Sequence, residues 1–165
     1  MKRALFLDRD GVINKRAALH EYIRTPENFE FLPGAVDALY ALYVAGFELF
    51  VITNQAGVGK GLMSEADLGA IHTKMQNELE KRGVILGGIY YCPHRPEENC
   101  DCRKPKPGLL LRAAREHGID LSTAIFVGDD ERDEVAGSAA GVKTLKVDGK
   151  LGIAQALPVL LSNSV

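Results

Sequence analysis

Asp8 and Asp10 stand two residues apart, where the apolar run 4–7 stops and Gly11 opens a turn. On an extended chain, side chains two apart project to one side, so both carboxylates reach a common ligand if strand geometry persists through Arg9. One can attack an electrophile or bind a metal while the other moves protons. The same residues also suit an Asx-rich turn at a strand end, so other groups must decide. Gly128-Asp129-Asp130-Glu131-Arg132-Asp133 follows a second apolar run, and Thr53-Asn54-Gln55 closes a third. Asp129 and Asp133 would also serve as a helix cap and first-turn acids. Yet acids on two strand tips repel one another unless a hard cation lies between them. Magnesium is the natural candidate, because it prefers oxygen ligands and takes few carboxylates. Thr53 can donate a hydroxyl hydrogen bond to phosphate and Lys104 can supply a point charge. Together these groups describe a phosphate site.

Cys92-Pro-His94-Arg-Pro-Glu-Glu-Asn-Cys100-Asp-Cys102 offers three thiols and an imidazole in eleven positions, a set suited to tetrahedral Zn2+. Four protein ligands leave no place for water, so such a zinc is structural. An odd number of cysteines in so short a stretch makes no disulfide framework; the plain alternative is three unligated thiols beside an unrelated histidine. Arg103 and Lys104 follow the last ligand, so a bound metal would fix the backbone that carries them. The planar fork of Arg103 suits a second phosphate, whereas the bland reading of the pair is a solvated basic turn.

The elements must bring these stretches to one place. The 165 residues suit a single domain, 1–165, with 46% hydrophobic and 25% charged residues. Twenty basic against 22 acidic side chains leave a net charge of −2, which gives no general attraction to nucleic acid or an anionic membrane. The apolar run after Met1-Lys2-Arg3 is cut by Asp8, too short for a signal core, and no stretch approaches a membrane span. A cytoplasmic location is the default expectation. Residues 15–28 read as a loop over the strand ends. Pro33-Gly34 opens a helix with Val36, Leu39, Tyr40 and Tyr43 as its apolar stripe, ended by Gly46. A buried strand at 48–53 and a glycine-rich loop at 54–61 follow, then Ser64 as the N-cap of a helix over 65–82. That helix carries Leu68, Ile71, Met75 and Leu79 on one stripe, with His72 nearby read as a histidine without chemistry. The remaining pattern predicts a strand at 88–92, an irregular stretch at 92–107, a helix at 108–117, strands at 123–127 and 143–147, and helices at 131–140 and 151–161. Such alternation implies a Rossmann-like α/β three-layer sandwich with a mainly parallel sheet, whose ligands bind outside the carboxyl ends of the strands.

Asp8-Arg-Asp10-Gly-Val-Ile-Asn14, Thr53-Asn54-Gln55, Arg103-Lys104-Pro105 and Gly128-Asp129 through Asp133 occur in that order over nearly the whole chain. They resemble the four motifs of the haloacid dehalogenase (HAD) superfamily of phosphatases. The likeness is greatest to its small branch without a cap domain, which includes heptose bisphosphate and histidinol-phosphate phosphatases and carries a Cys-x-His…Cys-x-Cys zinc loop. The resemblance implies a magnesium-dependent phosphomonoester hydrolase that works through an aspartyl phosphate. Asp8 would be the nucleophile and Asp10 the general acid/base, protonated at the start, with Thr53 and Lys104 on the phosphoryl group. Asn54, Gln55, Lys60 and Arg103 would contact substrate. Mg2+ would be held by the Asp8 side chain, the Asp10 main-chain carbonyl and Asp129, with Asp133 behind, and Zn2+ by Cys92, His94, Cys100 and Cys102.

The stretches running from Thr53 to Gly61 and from Gly88 to Cys92 resemble the heptose branch more closely. They imply removal of the 7-phosphate from D-glycero-D-manno-heptose 1,7-bisphosphate, ahead of histidinol phosphate or another small phosphomonoester. Lys60 stands where that branch can carry an Arg, and two features depart from it: Asp130 where a Lys contacts substrate, and a slightly longer segment at 15–22. The implied partner is a small phosphorylated metabolite, with no nucleic acid or membrane and a monomeric chain. Two readings of other classes are a receiver-type phosphoacceptor, disfavoured because the third strand ends in Cys92 and not in an acid, and a non-catalytic zinc-stabilised binding module.

Overall fold

The computed structural model describes residues 2–163. Five strands, β1 (Arg3–Leu7), β2 (Phe47–Asn54), β3 (Gly88–Cys92), β4 (Ile125–Gly128) and β5 (Lys143–Lys146), form one parallel sheet in the order β3-β2-β1-β4-β5. The α-helices are α1 (Ala35–Val44), α2 (Glu65–Lys81), α3 (Gly108–His117), α4 (Glu131–Ala140) and α5 (Ile153–Ser162). Period-two alternation divides the strand side chains between the two faces. Leu5, Leu7, Leu49, Val51 and Val127 enter one core with α1, α2 and α5, whereas Ala4, Phe6, Phe50, Ile52 and Phe126 enter the other with α3 and α4. The expected three-layer α/β sandwich is therefore present.

The chain first winds outward from β1 to β2 and β3, then returns to place β4 and β5 on the other side of β1. The strand order reverses between β1 and β4, and in such sheets a crevice opens beyond the carboxyl ends at that point. Asp8 leaves one of these two strands and Asp129 the other. No inserted domain separates the elements: only a 3-10 turn at Pro26–Asn28 lies between β1 and α1, and residues 55–64 join β2 to α2.

Several local expectations are corrected. The buried face of α1 is Ala35, Ala38, Leu39 and Leu42, not the stripe expected at 36, 39, 40 and 43, and Tyr40 is 40% exposed beneath the Arg82 guanidinium. Helix α5 starts at Ile153, because Leu151 and Gly152 close a turn on the Asp148 carbonyl. Its first amide donates to the Val12 carbonyl at 2.9 Å, which ties α5 to the loop after β1. Strand β1 itself ends at Leu7, and the chain bends at Arg9, whose carbonyl accepts from the amides of Val12, Ile13 and Asn14. Strand geometry thus does not persist from Asp8 to Asp10.

Candidate active site

Asp8 and Asp10 both line a cavity of about 480 Å³ at the sheet's carboxyl edge, but the bend at Arg9 gives them separate surroundings. The Asp8 amide donates to the Val127 carbonyl at 3.0 Å, which holds its Cα beside the end of β4. Its carboxylate accepts from the Arg9 amide at 2.8 Å and pairs with Lys104 Nζ at 3.0 Å. Burial pushes the Asp8 carboxyl well above its ordinary value. Lys104 opposes this, and the charges of Asp133, Asp129 and Asp10 add to it.

Asp10 shifts the other way. Burial alone would raise it, but the Arg9 charge and the hydrogen bonds from Asn14, Arg9 and Gln55 bring it below the ordinary carboxylate range. Its Oδ1 accepts from Arg9 Nη2 at 2.9 Å and Asn14 Nδ2 at 2.8 Å, and its Oδ2 from Gln55 Nε2 at 2.9 Å. Asp10 therefore favours the carboxylate in the substrate-free site, so the proton that it is expected to give to the leaving group must be gained as substrate binds.

The carboxylates of Asp8, Asp129 and Asp133 converge within 4.8 Å of one another. Lys104, 3% exposed, lies among them, with Nζ 2.7 Å from Asp133 Oδ1 and donating to the Ile52 carbonyl at 3.1 Å. Asp133 Oδ2 accepts from the amides of Asp129 and Asp130 at 3.1 and 3.2 Å, so both of its oxygens are engaged within the protein. Asp129 Oδ2 takes Arg16 Nε at 2.6 Å, whereas its buried Oδ1 has no partner. Two glycines make this approach possible. Gly11, at φ +84°, leaves open the space beside Asp129 that a Cβ would fill, and a Cβ on Gly128 would collide with Asp133. An orphaned carboxylate oxygen, a second acid within reach and an uncrowded backbone form a donor set that fits a hard divalent cation.

Asn54 and Gln55, the amide residues expected on substrate, both line the cavity and also make hydrogen bonds within the protein. Asn54 Nδ2 donates to the Lys104 carbonyl and its Oδ1 accepts from the Lys104 amide, both at 3.0 Å. Gln55 Nε2 bridges Asp10 and the hydroxyl of Thr53, at 2.9 Å to each. Thr53 is wholly buried beneath the cavity. These three side chains hold the acids and Lys104 in place. Lys60 is not brought to the cavity: Nζ donates to the Tyr22 hydroxyl at 2.8 Å and pins loop 15–28. That loop supplies Arg16 to Ile23 as one cavity wall, as its place over the strand ends predicts.

Arg103 lines the cavity with one buried nitrogen, Nη1, lacking a partner. Arg132 also lines it, with Nε on Asp130 Oδ1 at 2.9 Å. Asp130 is the N-cap of α4, and the Arg132 hydrogen bonds, acting against partial burial, hold its carboxyl down at about 2. The local charge reversal that the sequence implies at Asp130 is thus offset by Arg132, with Arg16 Nη2 a further 4.0 Å away. Arg9, Arg16 and Arg132 have structural parts that motif reading did not give them, and the one signal for them is the surplus of arginine beside the acids.

Cys92 Sγ lies 3.0 Å from Cys102 Sγ and 3.5 Å from Cys100 Sγ, and His94 Nδ1 is 3.2 Å from Cys102 Sγ and 3.4 Å from Cys92 Sγ. All three cysteines are free of disulfides. Three ~2.3 Å bonds from thiolates and one of ~2.0–2.1 Å from an imidazole, arranged tetrahedrally about zinc, imply sulfur separations of about 3.8 Å, so a modest expansion of this cluster accommodates the ion. The loop's last residues lead directly into Arg103 and Lys104.

The model of a family described as HAD-hydrolase-like matches residues 101–156, the stretch that holds Lys104, Asp129 and Asp133. A D-glycero-beta-D-manno-heptose-1,7-bisphosphate 7-phosphatase of Pasteurella multocida is 44% identical over 149 residues, covering 87% of this chain and 79% of that protein. One from Helicobacter pylori strain J99 is 45% identical over 142 residues, covering 86% and 80%. The crystal structure of D,D-heptose 1,7-bisphosphate phosphatase from B. bronchiseptica, complexed with magnesium and phosphate, matches with a TM-score of 0.85 at 36% identity, over 93% of this chain and 86% of that one. The chain belongs to the haloacid dehalogenase superfamily of phosphatases.

Proposed function

We propose that this chain, acting as a single-domain monomer in the cytoplasm, hydrolyses the 7-phosphate of D-glycero-β-D-manno-heptose 1,7-bisphosphate. The observation that carries the reading is the meeting of Asp8, Lys104 and the unpartnered oxygen of Asp129 at the β1/β4 crevice, with Asp10 lining the same cavity. The relatives' names supply the sugar and its anomer. No helix among the described residues is long and apolar enough to cross a membrane.

In the first half-reaction, an Asp8 carboxylate oxygen attacks phosphorus in line with the ester bond, which breaks as the aspartyl phosphate forms. Asp10 gives a proton to the departing alkoxide. It rests as a carboxylate, but an arriving phosphoryl dianion is a like charge and raises its proton affinity, so Asp10 gains that proton as substrate binds. In the second half-reaction, Asp10 takes a proton from water as the water oxygen attacks phosphorus. Inorganic phosphate departs, and Asp8 is again a free carboxylate. Lys104 neutralises charge on the phosphoryl oxygens and on Asp8 throughout. Asp8, Asp129 and the Asp10 main chain would hold magnesium, which when bound supplies the positive charge that lets a carboxylate approach a phosphate.

Arg103, with its unpartnered Nη1, is assigned to the 1-phosphate. Charged hydrogen bonds of this kind contribute roughly 1.5–3 kcal/mol, so Arg103→Ala is expected to raise KM for the bisphosphate roughly 10- to 100-fold. Its KM for a monophosphate should move less than about 3-fold, a split that steady-state kinetics on the two substrates measures. Zinc at Cys92, His94, Cys100 and Cys102 fixes the segment that carries Arg103 and Lys104. Metal analysis should give about one zinc per chain, as a closed four-ligand site requires, and its removal should abolish activity; an active zinc-free protein contradicts this assignment.

Substrate choice is tested by comparing kcat/KM on the β and α anomers of heptose 1,7-bisphosphate and on histidinol phosphate. The β bisphosphate is expected to lead by at least about 10-fold, or about 1.4 kcal/mol of transition-state binding. A higher value on histidinol phosphate overturns the proposed substrate and leaves the chemistry intact.

A further inference from the structure

Arg9 lies between the two motif acids, yet its side chain is 1% exposed, the bulkiest among those fully buried in the described residues. A guanidinium stays protonated in a protein, so each buried N–H needs an acceptor. Nη2 and Nε donate to Asp10 Oδ1 at 2.9 and 3.3 Å. Nη1 lies 3.2 Å from His72 Nε2. Arginine has no acceptor atom, so the imidazole must accept, with Nε2 unprotonated and the ring neutral. Burial, and after it the Arg9 charge, lower His72 to about 3 against the opposing effect of Asp10, which favours the same state.

His72 is well anchored for this task. It follows Leu68 by one helical turn on the buried face of α2, between Ile71 and Met75, and its ring packs 5.9 Å from that of Tyr91. The Tyr91 hydroxyl in turn donates to Glu65 at the start of α2. A helix outside all four motifs thus reaches the guanidinium that grips Asp10.

We infer that His72 is a positioning residue for proton transfer at Asp10: by accepting from Arg9 Nη1, it holds the guanidinium in the orientation that presents Nη2 to Asp10 Oδ1. The inference rests on the reading of Asp10 as proton donor and acceptor. Without His72, a buried cationic N–H loses its acceptor, and the guanidinium must turn to find another. Asp10 then loses its charged partner on Oδ1. Proton transfer requires the donor within roughly 2.6–3.2 Å of the leaving oxygen, so the loss falls on esters whose leaving group needs a proton.

The test compares kcat/KM, which reports the steps through departure of the leaving group, on an alkyl phosphate and on p-nitrophenyl phosphate, whose phenolate leaves without a proton. His72→Leu is expected to lose about 10-fold or more on the alkyl ester and no more than about 3-fold on the aryl ester, part of the 10²–10⁴-fold that acid–base catalysis contributes. His72→Gln, whose side-chain carbonyl accepts a hydrogen bond, should recover the alkyl activity to within about 3-fold. The alkyl-to-aryl ratio is independent of the folded fraction, so partial misfolding does not mimic the effect. Equal losses on both esters, or no recovery with Gln, overturn the inference. Asp10→Asn separates the two levels: a leaving-group split in Asp10→Asn without one in His72→Leu removes His72 alone, and no split in Asp10→Asn removes the role of Asp10 beneath it.

Discussion

Asp8→Asn is expected to lower kcat by on the order of 10⁴-fold or more while leaving the fold intact, because an amide oxygen cannot form the acyl phosphate on which both half-reactions depend. The same substitution should not cost stability. Burial and three neighbouring acids, opposed by Lys104, raise the Asp8 carboxyl in the folded state. A carboxyl raised on folding binds its proton more tightly in the native than in the unfolded chain. Its contribution to stability therefore falls as pH rises from the unfolded value through the folded one, and the full penalty is present only above the folded value. An amide carries none of that penalty, and Lys104 keeps Asp133 as its partner. Thermal melts of the metal-free proteins at neutral pH should place Asp8→Asn at or above the parent, and parallel phosphatase assays should show it inactive. A melt well below the parent, or activity near the parent's, contradicts the account of this residue.

Lys104→Met should damage activity and stability together. The ammonium is almost wholly buried among Asp8, Asp133 and the Ile52 carbonyl, and burial, which would lower its proton affinity, is outweighed by the two carboxylates. Breaking a buried ion pair by removing one partner costs about 3–5 kcal/mol. For a domain of this size that corresponds to roughly 6–20 °C in Tm. Loss of a preorganised charge at the phosphoryl group should take a further 10²–10³-fold from kcat, by analogy with the removal of one oxyanion donor. Differential scanning calorimetry and steady-state kinetics check the two effects. Asp133→Asn separates them, since it keeps Lys104 beside Asp8 and should retain more activity than Lys104→Met.

Much of this architecture is legible without coordinates, for reasons that differ by element. Strand β3 and helices α3 and α4 fall at their expected positions because Gly88 and Pro93, Pro107 and Gly118, and Asp130 and Gly141 mark their ends. The face of α1 is not legible. Ala35 and Ala38 carry its packing, and alanine adds little to an apolar stripe, whereas Tyr40 and Tyr43 suggest a different face.

Within the site, residue types name the acids and Lys104, and the rule that parallel strands gather their carboxyl ends brings the acids together. What residue types cannot give is which polar groups consume one another. Asn54 clamps the Lys104 backbone, Gln55 steadies Asp10, and Lys60 holds Tyr22, although each has the chemistry of a ligand contact. His72 shows the converse. Its position one turn after Leu68 marks it as inward-facing, but only the fold brings it against Arg9.

The central claim, that phosphorus becomes bonded to the carboxylate of Asp8, is most directly tested by acid-quenching the enzyme during turnover and reducing it with borohydride, which converts an acyl phosphate to an alcohol. Peptide mass analysis should then find homoserine at position 8, and Asp8→Asn should yield none. Unmodified Asp8 in a protein quenched while turning over, or the label on Asp10 or Asp129 instead, contradicts the account.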